Sequence, residues 1–113
     1  MILTRETTAA GALLVKMQGR MDIQGADAVD LPFAAALANQ TGPVVVDMSG
    51  VSYMASVGVR TFLLNAKALH GRGGRMILAA PNPNVRTVLE ALGVHTLLPI
   101  EPTVEAALAG VSA

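Results

Sequence analysis

The sequence predicts an α/β domain with a largely parallel sheet and helices packed against it. Its 113 residues match the size of one domain, residues 1–113. Short apolar runs alternate along the chain with segments whose apolar residues recur at helical spacing. Parallel strands need a crossover connection, usually a helix, so this alternation favours parallel pairing. The predicted element order is ββαβαβαβα.

The five predicted strands are short apolar runs bounded by glycine, proline or polar residues. In chain order they are ILTRETT (2–8), ALLVKMQG (12–19), GPVVVDMSG (42–50), RMILAAP (75–81) and the weaker TLLPI (96–100). A tight AAGA connection (9–12) joins the first two strands, as in a hairpin. The third and fourth runs are apolar almost throughout, which is typical of strands buried on both faces.

The first predicted helix lies within ADAVDLPFAAALANQ (26–40). Pro32 suits a first helical turn, so the well-formed helix is expected to begin near Asp30. The apolar residues that share its inner face are Val29, Phe33, Ala36 and Leu37.

The second predicted helix is SVGVRTFLLNAKALHG (56–71), and Gly71 is expected to end it. Its apolar stripe predicts one buried face, formed by Val59, Phe62, Leu63, Ala66 and Leu69.

The last two predicted helices carry recognisable caps. In NPNVRTVLEALG (82–93), Asn82 is the expected N-cap, Pro83 the first helical residue and Gly93 the residue after the helix. The residues expected to face inward are Val85, Val88, Leu89 and Leu92. The closing helix is TVEAALAG (103–110), with Thr103 as its cap.

Composition argues against several classes of function. The chain has no cysteine, so disulfides and thiolate metal or redox sites are excluded. Eight basic and eight acidic residues cancel, and one tyrosine without tryptophan makes nucleic-acid binding a poor interpretation. Neither a signal peptide nor an apolar run long enough to cross a bilayer is recognisable. We therefore expect a cytoplasmic domain that binds neither nucleic acid nor membrane.

The residue types that commonly form active sites are scattered in this chain. His70 and His95 lie on different predicted elements, without the converging ligands that zinc or acid–base chemistry needs. The glycines of HGRGGR (70–75) follow a helix and precede a strand, which predicts a helix cap and a turn instead of a phosphate loop. Three carboxylates are expected to complement a helix dipole: Asp22, Asp27 and Asp30. We expect a binding module, not an enzyme, with no cofactor and no metal.

Ser56 lies where the third strand gives way to the second helix, and it permits two interpretations. As an N-cap it would only stabilise the helix. A phosphate on the same serine would be stabilised by the free N–H groups and partial positive charge of a helix N-terminus. Arg60, one turn further, would add a charged contact.

A second stripe on the same helix is distinct from its core stripe. Its members recur at helical spacing and mix apolar and basic side chains: Val57, Arg60, Thr61, Leu64 and Ala68. A mixed patch of this kind beside Ser56 favours a partner interface over isolated exposed apolar residues.

The segment VVVDMSGVSYMASVGVRTFLL resembles the core of STAS domains, the bacterial anti-sigma factor antagonists. Two groups of residues match the family pattern: Asp47, Met48 and Ser49, then Tyr53, Met54, Ser56, Gly58 and Val59. The similarity extends to LVKMQGRMD, GGRMILAAPNPNVRTVLEALGV and LLPIEPTVEAAL, and so covers almost the whole chain.

The chain departs from the family pattern at the tip of this loop. Ala55 and Val57 stand where better-known members have an acidic residue and a second hydroxyl. If the family's phosphorylation occurs here, Ser56 is its site by elimination. The alternative is that the switch is lost and Ser56 is only a cap.

The resemblance implies a mixed β-sheet with helices mainly on one face. It also implies an anti-sigma factor antagonist that binds an anti-sigma factor, usually a serine kinase of the histidine-kinase-like ATPase type, and so releases a sigma factor. Phosphorylation of Ser56 would break that complex, and a serine phosphatase would restore it. The expected partner-binding residues are Tyr53, Ala55, Ser56, Val57, Gly58, Arg60, Thr61 and Leu64.

Two other roles stay open within the family. One is a STAS subunit of a larger assembly, either a transport ATPase or a stressosome-like complex. The other is a domain that senses a small ligand such as a nucleotide or a lipid.

Overall fold

The computed structural model of the chain describes residues 1–8 and 11–112, and it shows five strands and four α-helices there. The strands are β1 Ile2–Thr7, β2 Leu13–Met21, β3 Pro43–Met54, β4 Arg75–Ala79 and β5 Ile100–Glu101. The helices are α1 Ile23–Leu37, α2 Ser56–Gly71, α3 Pro83–Ala91 and α4 Val104–Ser112, with a 3-10 turn at Val94–Thr96. The predicted element order is therefore confirmed.

The strands form one mixed sheet in the order β1-β2-β3-β4-β5. β1 runs antiparallel to β2, while β2, β3, β4 and β5 are parallel to one another. The antiparallel pair confirms the predicted hairpin, although Ala9 and Ala10 of its connection lie outside the described residues.

Alternate side chains of the central strands point to opposite faces, and each face carries a buried apolar cluster. Helices α1, α2 and α3 bury the first face, where the Phe33 and Phe62 rings meet edge-to-face at 5.8 Å. Helix α4 covers the second face, on which Val45 and Ile77 pack beside Ala107. Helices thus lie mainly on one face, as the family resemblance implied.

Helix α1 begins seven residues earlier than expected, at Ile23 instead of Asp30. The carboxylate of Asp22 accepts a hydrogen bond from the Gly25 amide at 2.8 Å, so Asp22 is the N-cap. Pro32 consequently lies inside the helix, on its exposed side. The expectation that Asp27 and Asp30 sit at the helix start is wrong, because they belong to later turns.

Strand β3 is longer than predicted, and β5 is shorter and shifted. β3 continues through Ser52 and Tyr53 to Met54, with two irregularities in its register with β2. The residues expected to begin the fifth strand instead belong to the 3-10 turn and the loop after it. Leu92, expected to face inward, lies one residue past α3 and is 49% exposed.

The N-caps of α3 and α4 are the residues that the sequence predicted. Asn82 accepts from the Val85 amide at 2.8 Å, and Thr103 Oγ1 accepts from the Ala106 amide at 3.0 Å. Gly93 follows α3 with φ 76°, a conformation that favours glycine.

The HGRGGR segment also has the predicted structural role. It ends α2 and turns into β4, and the Arg72 guanidinium donates to the Leu37 carbonyl at 2.6 Å. Arg72 therefore caps the C-terminal end of α1, where helix carbonyls lack partners.

Candidate functional site

The candidate site is built on the junction between β3 and α2. The single linking residue is Ala55, whose amide donates to the Met21 carbonyl at the end of β2, at 2.9 Å. Its own carbonyl accepts from the amides of Gly58 at 3.0 Å and Val59 at 3.3 Å. Ala55 is therefore the N-cap of α2, and it caps with its backbone alone. The interpretation of Ser56 as the N-cap of this helix is therefore wrong.

Ser56 is the first residue of α2 and is exposed. Among residues 1–8 and 11–112, its hydroxyl makes no hydrogen bond. By contrast, the nearby hydroxyl of Ser52 donates to the Gly19 carbonyl at 3.3 Å. Ser56 thus combines exposure, an unengaged hydroxyl and the N-terminal end of a 16-residue helix.

Two of the expected partner-binding residues face the interior instead. A Cβ on Gly58 would overlap the Met21 side chain and lie 2.8 Å from Met54 Sδ, so glycine lets α2 approach the sheet. Thr61 is 7% exposed, and its hydroxyl donates to the Val57 carbonyl at 3.4 Å. Neither residue belongs to the accessible surface, so Thr61, contrary to the prediction, is not part of the outer stripe of α2.

The residues of α2 that do face outward line a groove between α2 and the end of α3. We call it the Ser56 groove; its volume is about 380 Å³ and its lining is Ser56, Val59, Arg60, Leu63, Leu64, Lys67 and Leu92. Leu64 is 58% exposed, as its position in the outer stripe predicted.

Sequence reasoning missed four members of this lining: it assigned Val59, Leu63 and Leu92 to buried helix faces and did not single out Lys67. Lys67 lies seven residues after Arg60 and three after Leu64, so helical spacing alone was a sufficient signal for it. Leu92 carried no comparable signal, because it lies on another element and fits the apolar periodicity of α3.

Beside the junction, at the ends of β2 and β3, lies a small polar cluster. Arg20 pairs with Tyr53 in the sheet register, and its guanidinium carbon lies 4.4 Å from the centre of the tyrosine ring. Arg20 Nε is also 3.5 Å from Asp22 Oδ2. The hydrogen bond from the Gly25 amide, assisted by Arg20, holds the pKa of Asp22 below its usual range. Tyr53 remains 43% exposed, so this cluster presents an aromatic surface next to the groove.

Within residues 1–8 and 11–112, no three histidine, cysteine or carboxylate side chains lie close enough to hold a metal ion. His70 lies in the last turn of α2 and His95 in the 3-10 turn, and both are exposed. No helix in this part of the chain is long and apolar enough to cross a membrane. The site therefore combines an open groove with the exposed hydroxyl of Ser56.

A protein-family model for the STAS domain matches residues 4–107. A protein of Bordetella bronchiseptica, provisionally named anti-sigma factor antagonist BtrV, is 32% identical over 99 residues, or 88% of this chain and 85% of that protein. An anti-sigma F factor antagonist of Paenibacillus polymyxa is 28% identical over 91 residues, or 80% of this chain and 78% of that one. The crystal structure of an anti-sigma factor antagonist from Mycobacterium paratuberculosis superimposes with a TM-score of 0.90. It is 25% identical and covers 99% of this chain and 94% of its own.

Proposed function

This chain belongs to the STAS domain family, and we propose that it acts as an anti-sigma factor antagonist. The unphosphorylated protein binds an anti-sigma factor in the cytoplasm and thereby frees a sigma factor. It acts as a binding module and not as an enzyme. The observation that carries the proposal is the exposed, unengaged Ser56 hydroxyl at the head of a groove with apolar walls.

The binding surface is the Ser56 groove with the adjoining end of β3. Its exposed residues are Tyr53, Ser56, Arg60 and Leu64, and Ala55 and Val57 beside them are half-buried. Tyrosine and arginine are residue types that concentrate binding energy in protein interfaces, and the exposed leucines add apolar area of the kind found in interface cores. The partner we propose is a serine kinase of the histidine-kinase-like ATPase type.

Phosphorylation of Ser56 is the proposed switch. A phosphate adds close to two negative charges, and at the first position of α2 the helix dipole and unpaired amides stabilise it. Arg60 follows one turn later and lines the same groove. The phosphate therefore disturbs the fold little, but its charge and bulk at the Ser56 end of the groove oppose binding of the anti-sigma factor. A serine phosphatase would reset the protein.

Binding to purified candidate anti-sigma factors, measured by calorimetry, tests the surface. We expect Ser56→Asp to weaken binding at least tenfold and Ser56→Ala to retain it, because only aspartate adds charge. Both variants should unfold in urea within about 1 kcal/mol of wild type, since the side chain is exposed and makes no contact that must be replaced. If Ser56→Asp bound as tightly as wild type, the switch would not lie here.

Leu64 tests the apolar wall of the groove. Leu64→Glu should abolish binding without lowering the unfolding midpoint, because Leu64 is 58% exposed. Leu31→Glu is the matched control: this leucine on α1 is 79% exposed and does not line the groove. Equal effects of the two substitutions would count against a specific surface.

The modification itself is tested by incubating the protein with the bound kinase and ATP, then measuring intact and peptide masses. One phosphate on Ser56, absent from Ser56→Ala, is the expected result. Modification that persists in Ser56→Ala would assign the switch to another residue, for example Ser49 or Ser52 on β3.

A further inference from the structure

The Ser56 groove does not end at Lys67. A second groove of about 460 Å³, here called the distal groove, begins there, and Leu63 and Lys67 line both. The distal groove lies between the C-terminal half of α2, the start of β4 and the loop before β5. Its other lining residues are Ala66, His70, Arg75, Met76, Leu97, Leu98 and Pro99. From Ser56 to His70 the joined groove follows α2 for about 21 Å at 1.5 Å per residue.

The joined groove has basic side chains and no acidic ones. Arg60, Lys67 and His70 follow one another along α2, and no carboxylate belongs to either lining. In the part of the chain that the structure describes, neither Arg60 nor Lys67 forms an ion pair. Arg75 differs, because its guanidinium donates to the Gly110 carbonyl near the end of α4. The uncompensated charge along α2 favours an acidic ligand.

The walls of the groove are too open to enclose a small molecule. Three leucines contributed by different elements remain half to two-thirds exposed: Leu64 at 58%, Leu92 at 49% and Leu97 at 66%. A small-ligand site usually buries most of its ligand. Covering three leucines along this length requires a long, broad occupant, and an amphipathic helix laid in a groove has that shape.

We propose that the joined groove binds an acidic amphipathic helix of about four turns on the protein partner. Its apolar face covers Leu64, Leu92 and Leu97, and its carboxylates face Arg60, Lys67 and His70. This inference rests on the proposed function and extends it, because it places a second contact region up to about 21 Å from Ser56.

The test uses the anti-sigma factor that binds the wild-type chain and two distal variants: Leu97→Glu, which lies in the distal groove alone, and Lys67→Glu, at a residue that the two grooves share. Leu97→Glu and Lys67→Glu should each raise Kd at least tenfold. Leu31→Glu and Lys16→Glu, which alter an exposed leucine and the chain's other lysine outside the groove, should change Kd less than threefold. Binding should also weaken less steeply with added NaCl in Lys67→Glu than in wild type, because one charge contact is gone. Circular dichroism confirms that each variant is folded.

A photo-crosslinking amino acid at position 97 identifies the occupant directly. The expected crosslinked peptide of the partner carries several Asp or Glu residues and apolar residues three or four positions apart.

The outcomes separate the two proposals. If the wild type bound its partner and Ser56→Asp did not, while both distal variants bound normally, the inference would fail and the proposed function would stand. If no anti-sigma factor bound the wild type, both would fail. Loss of self-association, or of binding to phosphatidylglycerol vesicles, in the distal variants with partner binding intact would assign the groove to another occupant and overturn the inference.

Discussion

Helices α1 and α2 begin at the same edge of the sheet, but the residues that cap their N-termini differ chemically. Asp22 caps α1 with its carboxylate, whereas Ala55 caps α2 with backbone groups only. Serine is a much better N-cap than alanine, so sequence preferences placed Ser56 at the cap. A tertiary contact, from the Ala55 amide to the Met21 carbonyl, shifts the cap by one residue and leaves the Ser56 hydroxyl free. The sequence singled out Ser56, but it could not show that its hydroxyl makes no hydrogen bond.

Asp22 gives a pH-dependent prediction at this scale. Its folded pKa is lowered by the Gly25 amide and by Arg20, so its carboxylate stabilises the fold at neutral pH. Asparagine caps equally well but carries no charge, so Asp22→Asn should be less stable than wild type at pH 7. The contribution is complete above the usual carboxyl pKa and disappears as the pH falls through the lowered folded value.

Urea unfolding, measured from neutral pH down to the lowest pH at which the protein is still folded, tests this difference. Asp27→Asn, at an exposed position later in α1, serves as the control. A gap between wild type and Asp22→Asn that stayed constant over the whole range would rule out the charge as its cause.

At the scale of elements, periodicity predicted the type and order of every strand and α-helix in the described residues, and its errors concern where they begin and end. Pro32 favours a first helical turn, yet capping by Asp22 and burial of Ala26 and Val29 carry α1 through it. Strand β3 passes the glycine expected to end it, because Val51 and Met54 remain buried. In both cases long-range burial overrides a local signal. The distal groove was also beyond prediction, since its walls come from elements far apart in sequence.

Pro32 gives a prediction about α1. Proline has no N–H to donate to the Ala28 carbonyl one turn earlier, and it fits a helix interior poorly. Because Pro32 is exposed, Pro32→Ala restores this bond without removing core packing. We expect a gain of roughly 1–3 kcal/mol in the free energy of unfolding, reduced somewhat because alanine also loosens the unfolded chain. Denaturant unfolding measures it, and a loss of stability would show that α1 needs the local geometry of proline to pack on the sheet.

At the scale of the whole molecule, the two faces of the sheet have different tasks. Helices α1 to α3 build the larger core on one face, and α2 and α3 also form the Ser56 groove. Helix α4 alone closes the other face, over a small cluster that includes Leu14, Val45 and Ile77. The 52% hydrophobic content of the chain reflects both a buried cluster on each face of the sheet and a groove lined with exposed leucines.

Helix α4 packs on the second face of the sheet through Ala107. Ala107 is fully buried against the second face, with no space beside it for a charged group. Ala107→Asp places a carboxylate there, and undocking α4 would relieve the desolvation of that charge only by uncovering Val45 and Ile77. We expect a loss of about 3 kcal/mol or more in the free energy of unfolding, together with increased binding of an apolar dye to the uncovered sheet.

The control is Ala106→Asp, one residue earlier and only partly buried, which should lower the free energy of unfolding much less. Partner binding measured well below the unfolding midpoint should persist in Ala107→Asp, because the Ser56 groove lies on the opposite face. Loss of binding by protein that is still folded would show that the two faces are coupled, and that α4 does more than cover the sheet.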